Sequence, residues 1–238
     1  MTDLISPEKE RPILFQGAMV RALLDGSKTQ TRRIVKPRPI EKEGMNCQRL
    51  QFLNRKDDLV MDTWVGDEMA RIMCPHGQPG DRLWVRETHA KIWPGEYAPD
   101  DEQGITIEYR ADTNGQCLPG DWPDGSQGDD VPKWIPSIHM RRKYSRINLE
   151  IVSVRVERLQ DISEADALAE GIPEEGEVCS RCGSAGAYME GGDVVMCEAP
   201  RCGDGAVDDY RHLWESINGA GSWAENPWVW VVEFRKLP

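Results

Sequence analysis

The chain has 238 residues, of which 39% are hydrophobic, and a formal net charge of −12. This length suits one domain with insertions or two small domains, and the acidic balance argues against a general polyanion binder. No apolar run reaches the roughly 20 residues that a membrane span needs, and residues 1–11 lack the apolar core of a signal peptide. We therefore expect a soluble cytoplasmic protein, in which the seven cysteines are thiols or metal ligands.

The first predicted element is a helix over residues 12–25, where apolar residues recur at helical spacing and Gly26 follows. Thr31–Val35 has the composition of a strand, which Pro37 ends. The turn between the helix and the strand is polar and basic, so its side chains can converge on a small ligand. The candidate ligand-contacting residues of this turn are Lys28, Thr31, Arg32 and Arg33. A solvated basic loop is the alternative interpretation.

Further strands are predicted from alternating apolar residues or from a dense apolar run. They lie at residues 61–65, 82–86, 105–109, 145–157 and 228–234. The alternation slips near Ile151–Val154, which predicts a bulge in the fourth of these strands.

Two more helices are predicted in the second half of the chain. One covers residues 162–170, with Asp161 or Ser163 as its cap and Gly171 as its stop. The other covers residues 207–217 and has an apolar face. Antiparallel-looking strands with helices at both ends of the series predict an α+β fold, a small mixed β-barrel with flanking helices. We expect one domain over residues 1–238.

Two insertions interrupt this pattern. Residues 95–132 contain a long acidic loop, and residues 172–205 contain two cysteine pairs, each followed by glycine. Four thiolates at this spacing are typical of tetrahedral zinc, and a site with four protein ligands is closed and structural. The alternative is four free thiols in a loop. The predicted zinc ligands are Cys179, Cys182, Cys197 and Cys202.

Basic residues are concentrated in two islands, residues 28–38 and residues 133–146, neither of which contains an acid. In an acidic chain such islands indicate local phosphate recognition rather than broad coating of a nucleic acid. Solvated charged surface is the alternative interpretation.

Four short blocks of the sequence are Lys28–Arg33, Pro79–Val85, Leu159–Glu170 and Trp230–Phe234. Together they resemble the ASCH superfamily, whose members have a PUA-like β-barrel. Two further blocks, Pro136–Met140 and Trp214–Gly219, are similar in sequence to members encoded by phages and prophages. The resemblance implies a PUA-like fold with flanking helices and, for a phage-encoded protein, a location in the host cytoplasm. The acidic loop and the cysteine insertion depart from the smallest members.

Within this superfamily the chain is similar to the bacterial 4-acetylcytidine amidohydrolases. These use a lysine, a threonine three residues on and a glutamate at the end of a later helix, which the resemblance places on Lys28, Thr31 and Glu170. Amide hydrolysis needs a nucleophile, a base and a proton for the departing amine. Thr31 offers a hydroxyl, and Lys28 can act as the base if burial or neighbouring arginines lower its pKa. Glu170 can orient the amine or pass it a proton, and the alternative for Lys28 and Glu170 is an ordinary salt bridge.

The expected partner is a modified nucleoside or RNA, since PUA-like barrels commonly hold RNA. Basic side chains suit the phosphate contacts that position such a ligand. The alternative to an amidohydrolase is therefore an RNA-binding module, or a ribonuclease with His139 as its acid–base candidate. The candidate substrate-binding residues are Arg32, Arg33, Arg141 and Arg142.

Overall fold

The computed structural model describes residues 9–36, 60–65, 68–92, 105–113, 134–172, 187–190, 193–196 and 205–238. Within these ranges the chain forms eleven strands and three α-helices. The predicted α+β class is confirmed, and the PUA-like barrel stays a prediction. The strands are β1 (Glu10–Leu14), β2 (Gln30–Ile34), β3 (Val60–Val65), β4 (Glu68–Met73), β5 (Arg82–Arg86), β6 (His89–Ile92), β7 (Thr106–Tyr109), β8 (Asn148–Arg158), β9 (Ala187–Glu190), β10 (Asp193–Met196) and β11 (Trp228–Lys236). The helices are α1 (Gly17–Asp25), α2 (Glu164–Ala169) and α3 (Ala206–Asn218).

The chain divides into two compact units. The first unit contains Met1–Gly26, Gly80–Glu150 and Arg235–Pro238. The second unit contains Ser27–Pro79 and Ile151–Phe234. Strands β8 and β11 therefore each contribute residues to both units.

The first unit is built on a parallel pair of strands. β1 lies parallel to β5, from Glu10 opposite Arg82 to Leu14 opposite Arg86. β5 lies antiparallel to the first residues of β8, with Leu83 opposite Leu149, and β6 and β7 form an antiparallel ladder. The predicted strands at β5 and β7 are thus confirmed.

The prediction that a helix begins at residue 12 is wrong, because Glu10–Leu14 is strand β1 and α1 begins at Gly17. The apolar run Ile13–Phe15 is too short for its period to distinguish a helix from a strand. Pairing with β5 decides the matter. Pro12 has no N–H to donate to a ladder, which an edge strand such as β1 tolerates. The end of the helix is as predicted, with Gly26 at a φ of 89° as its C-cap.

In the second unit, helices α2 and α3 share a core with strand β11. β11 lies antiparallel to β2, from Val229 opposite Ile34 to Glu233 opposite Gln30, and the later part of β8 lies on its other side. β3 pairs with β4, and β9 pairs with β10, each antiparallel. The fully buried core of this unit is made by residues of α2, α3 and β11 with neighbouring loop residues: Leu159, Ile162, Ala167, Ile172, Ala206, Tyr210, Trp214, Val229 and Val231. None of the described helices is long and apolar enough to cross a membrane.

The predicted slip in the alternation of β8 is present. Leu149 and Ile151 are buried, Val152 is exposed, and the buried positions then resume at Val154 and Val156. The buried set therefore shifts by one residue in the middle of the strand, as a bulge requires.

Both ends of α2 follow the predicted signals. The Ser163 hydroxyl accepts from the backbone N–H of Asp166 at 3.1 Å, and the Asp166 carboxylate accepts from the Ser163 N–H in return. Gly171 stops the helix at a φ of 88°, which suits glycine. Glu170 is therefore the C-cap residue of a short, well-bounded helix.

Candidate functional site

Backbone hydrogen bonds hold the segment before β2 against the end of α2. The Thr29 N–H donates to the Ala169 carbonyl at 2.8 Å, and the Phe234 N–H donates to the Thr29 carbonyl at 2.8 Å. The side chain of Lys28 is therefore delivered to the C-cap of α2. Gln30 strengthens the same junction, because its side-chain amide donates to the Asp166 carbonyl at 2.8 Å.

Lys28 and Glu170, two of the three predicted catalytic residues, form a buried ion pair in the second unit. The Lys28 Nζ lies 2.8 Å from Glu170 Oε2, and the two side chains are only 0% and 3% exposed. The same Nζ also donates to the Glu170 backbone carbonyl at 2.7 Å. The carboxylate is therefore held in one orientation by a donor whose side chain is shielded from solvent.

Arg32 extends this pair into a cluster. Its fully buried guanidinium lies 3.4 Å from Glu170 Oε1 and 3.2 Å from Asp166 Oδ2, and it also pairs with Glu157. Arg155 donates to the Asp166 carboxylate at 2.8 Å and to the Glu157 carboxylate at 3.1 Å. Charges from β2, β8 and α2 thus neutralise one another inside the unit. We call Lys28, Arg32, Glu157, Asp166 and Glu170 the buried charge cluster.

The environment of the cluster shifts three ionisation equilibria. Burial lowers the pKa of the Lys28 ammonium, the Glu170 carboxylate opposes that effect, and Arg33 and Arg32 add smaller lowering contributions. Burial also lowers the pKa of the Arg33 guanidinium and raises the pKa of the Tyr210 phenol well above its usual value. Burial therefore favours the neutral form of all three groups, and for Lys28 it does so although the ammonium is paired with Glu170.

Thr31, the third predicted catalytic residue, is buried in β2 opposite Val232, with 3% of its surface exposed. By strand alternation Thr31 shares a face with Arg33, and Arg32 points to the other face. Gln30 and Arg32, on that other face, make the contacts with Asp166 and Glu170.

The four predicted substrate-binding arginines are differently placed. Arg32 is enclosed by carboxylates, so it is unable to offer its guanidinium to a phosphate at the surface. Arg33 is in the second unit with the catalytic candidates, whereas Arg141 and Arg142 are in the first. Arg142 donates to the Glu10 carboxylate at 3.0 and 3.2 Å. Two arginines of the predicted set, Arg32 and Arg142, are therefore engaged by carboxylates of this chain.

The predicted zinc ligands Cys179, Cys182, Cys197 and Cys202 lie outside the described residues, as does most of the acidic loop. In the part of the chain that the structure describes, no group of three or more histidine, cysteine, aspartate or glutamate side chains is arranged to hold a metal ion.

Three members of the site carry no signal in the sequence. From the sequence, Glu157 is predicted to be an outward-facing residue of β8. Asp166 is predicted only to be a favourable acid in the first turn of α2. Tyr210 reads as an apolar-face residue of α3, although its ring lies 6.0 Å from the Arg32 guanidinium. Because the three residues lie in three separate elements, no sequence spacing connects them to the site.

Chemically, the site combines a buried amine with a lowered pKa and a carboxylate of fixed orientation, and the buried Thr31 hydroxyl lies on the other face of β2 from Arg32. The amine and the carboxylate can carry out proton transfer, and a threonine hydroxyl is a nucleophile for a carbonyl carbon. The ASCH resemblance stays a prediction that rests on the motif blocks. Comparison of the chain with protein-family models, with curated proteins and with solved structures gave no match.

Proposed function

We propose that the protein is an ASCH-type amidohydrolase that removes an acyl group from an acylated cytidine nucleoside. Its catalytic residues are Lys28, Thr31 and Glu170. The observation that supports this proposal best is the Lys28–Glu170 pair, with an Nζ–Oε2 distance of 2.8 Å in a fully buried setting. Burial lowers the pKa of Lys28 and therefore raises the population of the neutral amine, which is the form that a general base needs.

In the proposed reaction the Thr31 Oγ1 attacks the acyl carbon of the substrate amide, and its proton passes to the neutral Lys28 amine. The carbon–nitrogen bond then breaks, leaving the acyl group as an ester on Thr31. The cytidine amine departs with the proton, which Glu170 relays from the Lys28 ammonium. Water cleaves the ester by the reverse sequence, so the net reaction consumes one water and yields a carboxylic acid and the free amine.

The two neighbouring arginines have different roles in this proposal. Arg32 is a positioning residue, because its guanidinium is occupied by carboxylates and one of its nitrogens holds Glu170 Oε1 at 3.4 Å. Arg33 keeps the substrate-binding role, since it shares the face of β2 that carries Thr31. Its contact with the substrate is expected to be to the acyl or base oxygen.

The test is turnover of N4-acetylcytidine by the full chain, followed by liquid chromatography of the nucleoside product. Thr31→Val keeps the side-chain shape and removes the hydroxyl, so we expect it to cut turnover by at least about a hundredfold. Thr31→Ser restores a hydroxyl and should recover most of the activity. Thr29→Val is the matched control, because Thr29 lies in the same segment with its side chain exposed.

Two outcomes would defeat the catalytic assignment. One is wild-type protein that deacylates none of a panel of N-acylated cytidines. The other is Thr31→Val protein that retains wild-type turnover while Thr29→Val is equally active, since the nucleophile would then lie elsewhere.

We also propose that Cys179, Cys182, Cys197 and Cys202 hold one structural zinc ion, which would order an insertion too small to have its own apolar core. Elemental analysis should find about one zinc per chain, and Cys179→Ser or Cys197→Ser should lose it. Cys74→Ser is the control, because Cys74 is a buried cysteine that forms no disulfide and lies outside the cysteine pairs. Metal-free native protein, or zinc retained in both pair variants, would contradict the proposal.

A further inference from the structure

A cleft of about 400 Å³ lies in the first unit, beside the start of α1 and the ends of β5 and β7. Its volume falls in the range of small-molecule sites, roughly 300–1,000 Å³. None of its lining residues belongs to the buried charge cluster. The polar and aromatic lining residues that carry the argument are Phe15, Arg21, Glu87, Thr88, Arg110 and Ser137.

Two guanidinium groups line this cleft without a carboxylate partner in the described parts of the chain. Arg21 donates only to the Ala111 carbonyl, at 3.3 Å, and Arg110 is exposed. By contrast, Arg11, Arg142 and Arg146 of the same unit each pair with a carboxylate. In a chain with a net charge of −12, two uncompensated positive charges on one cleft favour an anionic ligand.

A rigid hydrogen-bond acceptor forms another part of the cleft wall. Glu87 is 1% exposed, and Arg146 donates to both of its carboxylate oxygens at 2.9 Å. Arg146 is itself held by the Asp112 carboxylate at 2.7 and 2.8 Å and lies 3.9 Å from the centre of the Tyr109 ring. Each Glu87 oxygen keeps a further lone pair that can accept from a ligand. The hydroxyls of Thr88 and Ser137 add adaptable partners.

The first turn of α1 contributes to the same electrostatic field. Gly17 and Ala18 line the cleft, the first turn contains no acid, and the N-cap Gln16 makes no side-chain capping bond. The N-terminal backbone amides of α1 therefore add to the positive potential that the two guanidinium groups create in the cleft.

We propose that this cleft binds a phosphate monoester of a small hydroxylated molecule, with the phosphate at Arg21 and Arg110 and a ligand hydroxyl donating to Glu87. Two guanidinium groups suit a phosphate dianion because each can donate a pair of parallel hydrogen bonds. Arg146 offsets part of the repulsion between the Glu87 carboxylate and that dianion, because it shares its positive charge between Glu87 and Asp112. This inference does not depend on the proposed amidohydrolase activity, because it uses different residues.

The test is calorimetric titration of the full chain with inorganic phosphate, ribose 5-phosphate, cytidine 5′-monophosphate, and unphosphorylated ribose and cytidine. We expect saturable binding of both esters, weaker binding of inorganic phosphate, and none of the unphosphorylated compounds. Arg21→Gln and Arg110→Gln should each weaken ester binding by about tenfold or more, as expected for a lost charged hydrogen bond. Arg11→Gln is the matched control, since that arginine is paired with Asp81 and does not line the cleft.

A further variant separates binding from folding. Ala18→Asp places a negative charge in the cleft and also an acid in the first turn of α1, where an acid stabilises a helix. Ester binding should disappear while the melting temperature stays level or rises. The proposal is overturned if no ester binds saturably, if Arg11→Gln weakens binding as much as Arg21→Gln, or if Ala18→Asp binds like the wild type. Binding of inorganic phosphate as tight as that of both esters would overturn the role of Glu87.

Discussion

Replacing Lys28 by methionine should lower the free energy of unfolding by about 3–5 kcal/mol. Methionine keeps much of the length and apolar stem of lysine but removes the charge that lies 2.8 Å from Glu170 Oε2. Glu170 would then remain buried with Arg32 as its partner at 3.4 Å. Urea unfolding followed by tryptophan fluorescence measures the loss. Lys36→Met is the control, because Lys36 is exposed at the end of the same segment and should change stability by less than about 0.5 kcal/mol.

The pH dependence of the same variant gives an independent check. The folded-state pKa of Lys28 lies below its ordinary value of 10.5 because burial disfavours the ammonium. Between the lowered pKa and 10.5 the unfolded chain binds more protons at this residue than the folded chain does, so wild-type stability should rise with pH across that window. Lys28→Met should lack this rise. An identical alkaline slope in both proteins, or a loss as small as that of Lys36→Met, would contradict the buried pair.

Arg32→Met should also lower the free energy of unfolding by about 3–5 kcal/mol, because it removes the buried common cation of Glu170, which is buried, and of Glu157 and Asp166, which are partly exposed. Arg32→Lys should recover only a small part of this loss. One ammonium is unable to span the carboxylates of Glu157, Asp166 and Glu170, which the planar guanidinium contacts together. Arg235→Met is the matched control, since its ion pair with Glu150 is at the surface, with the Arg235 side chain 66% exposed, and should contribute at most about 1 kcal/mol.

Acid unfolding should report the same interaction. Burial works to raise the pKa of Asp166, but Arg32, hydrogen bonds from Ser163 and Gln30, and Arg155 outweigh it and leave the pKa below its ordinary value. The stability that Asp166 contributes is therefore present above its unfolded-state pKa and is lost as the pH falls through the lowered folded-state value. Removing Arg32 should move the acid unfolding midpoint to higher pH. An Arg32→Lys protein with wild-type stability and an unchanged acid midpoint would disprove the proposed role of the guanidinium.

The predictable parts of this protein are those in which neighbouring residues supply the determining interaction. The cap of α2 needs only Ser163 and Asp166, three residues apart, and its end needs only Gly171. The strand after Gly80 and the slip in β8 likewise follow from local apolar order. By contrast, residues 10–14 become a strand because β5 supplies their hydrogen bonds, and no short window of sequence contains that partner.

The candidate site divides in the same way. The types and spacing of Lys28 and Thr31 are visible in the sequence, and the resemblance to the ASCH superfamily points to Glu170. Which groups the Arg32 guanidinium pairs with was decided by the tertiary structure alone. A run of basic residues indicates phosphate recognition only if its side chains are solvated. Here carboxylates from β8 and α2 already pair with Arg32, so its charge is not available to a phosphate. The opposite holds for the cleft arginines. Arg21 and Arg110 are far apart in the sequence, and folding places both on the wall of one cleft, between α1 and the end of β7. Charge along a chain sets how many ionic groups must be neutralised, but folding decides which of them neutralise one another and which remain for a ligand.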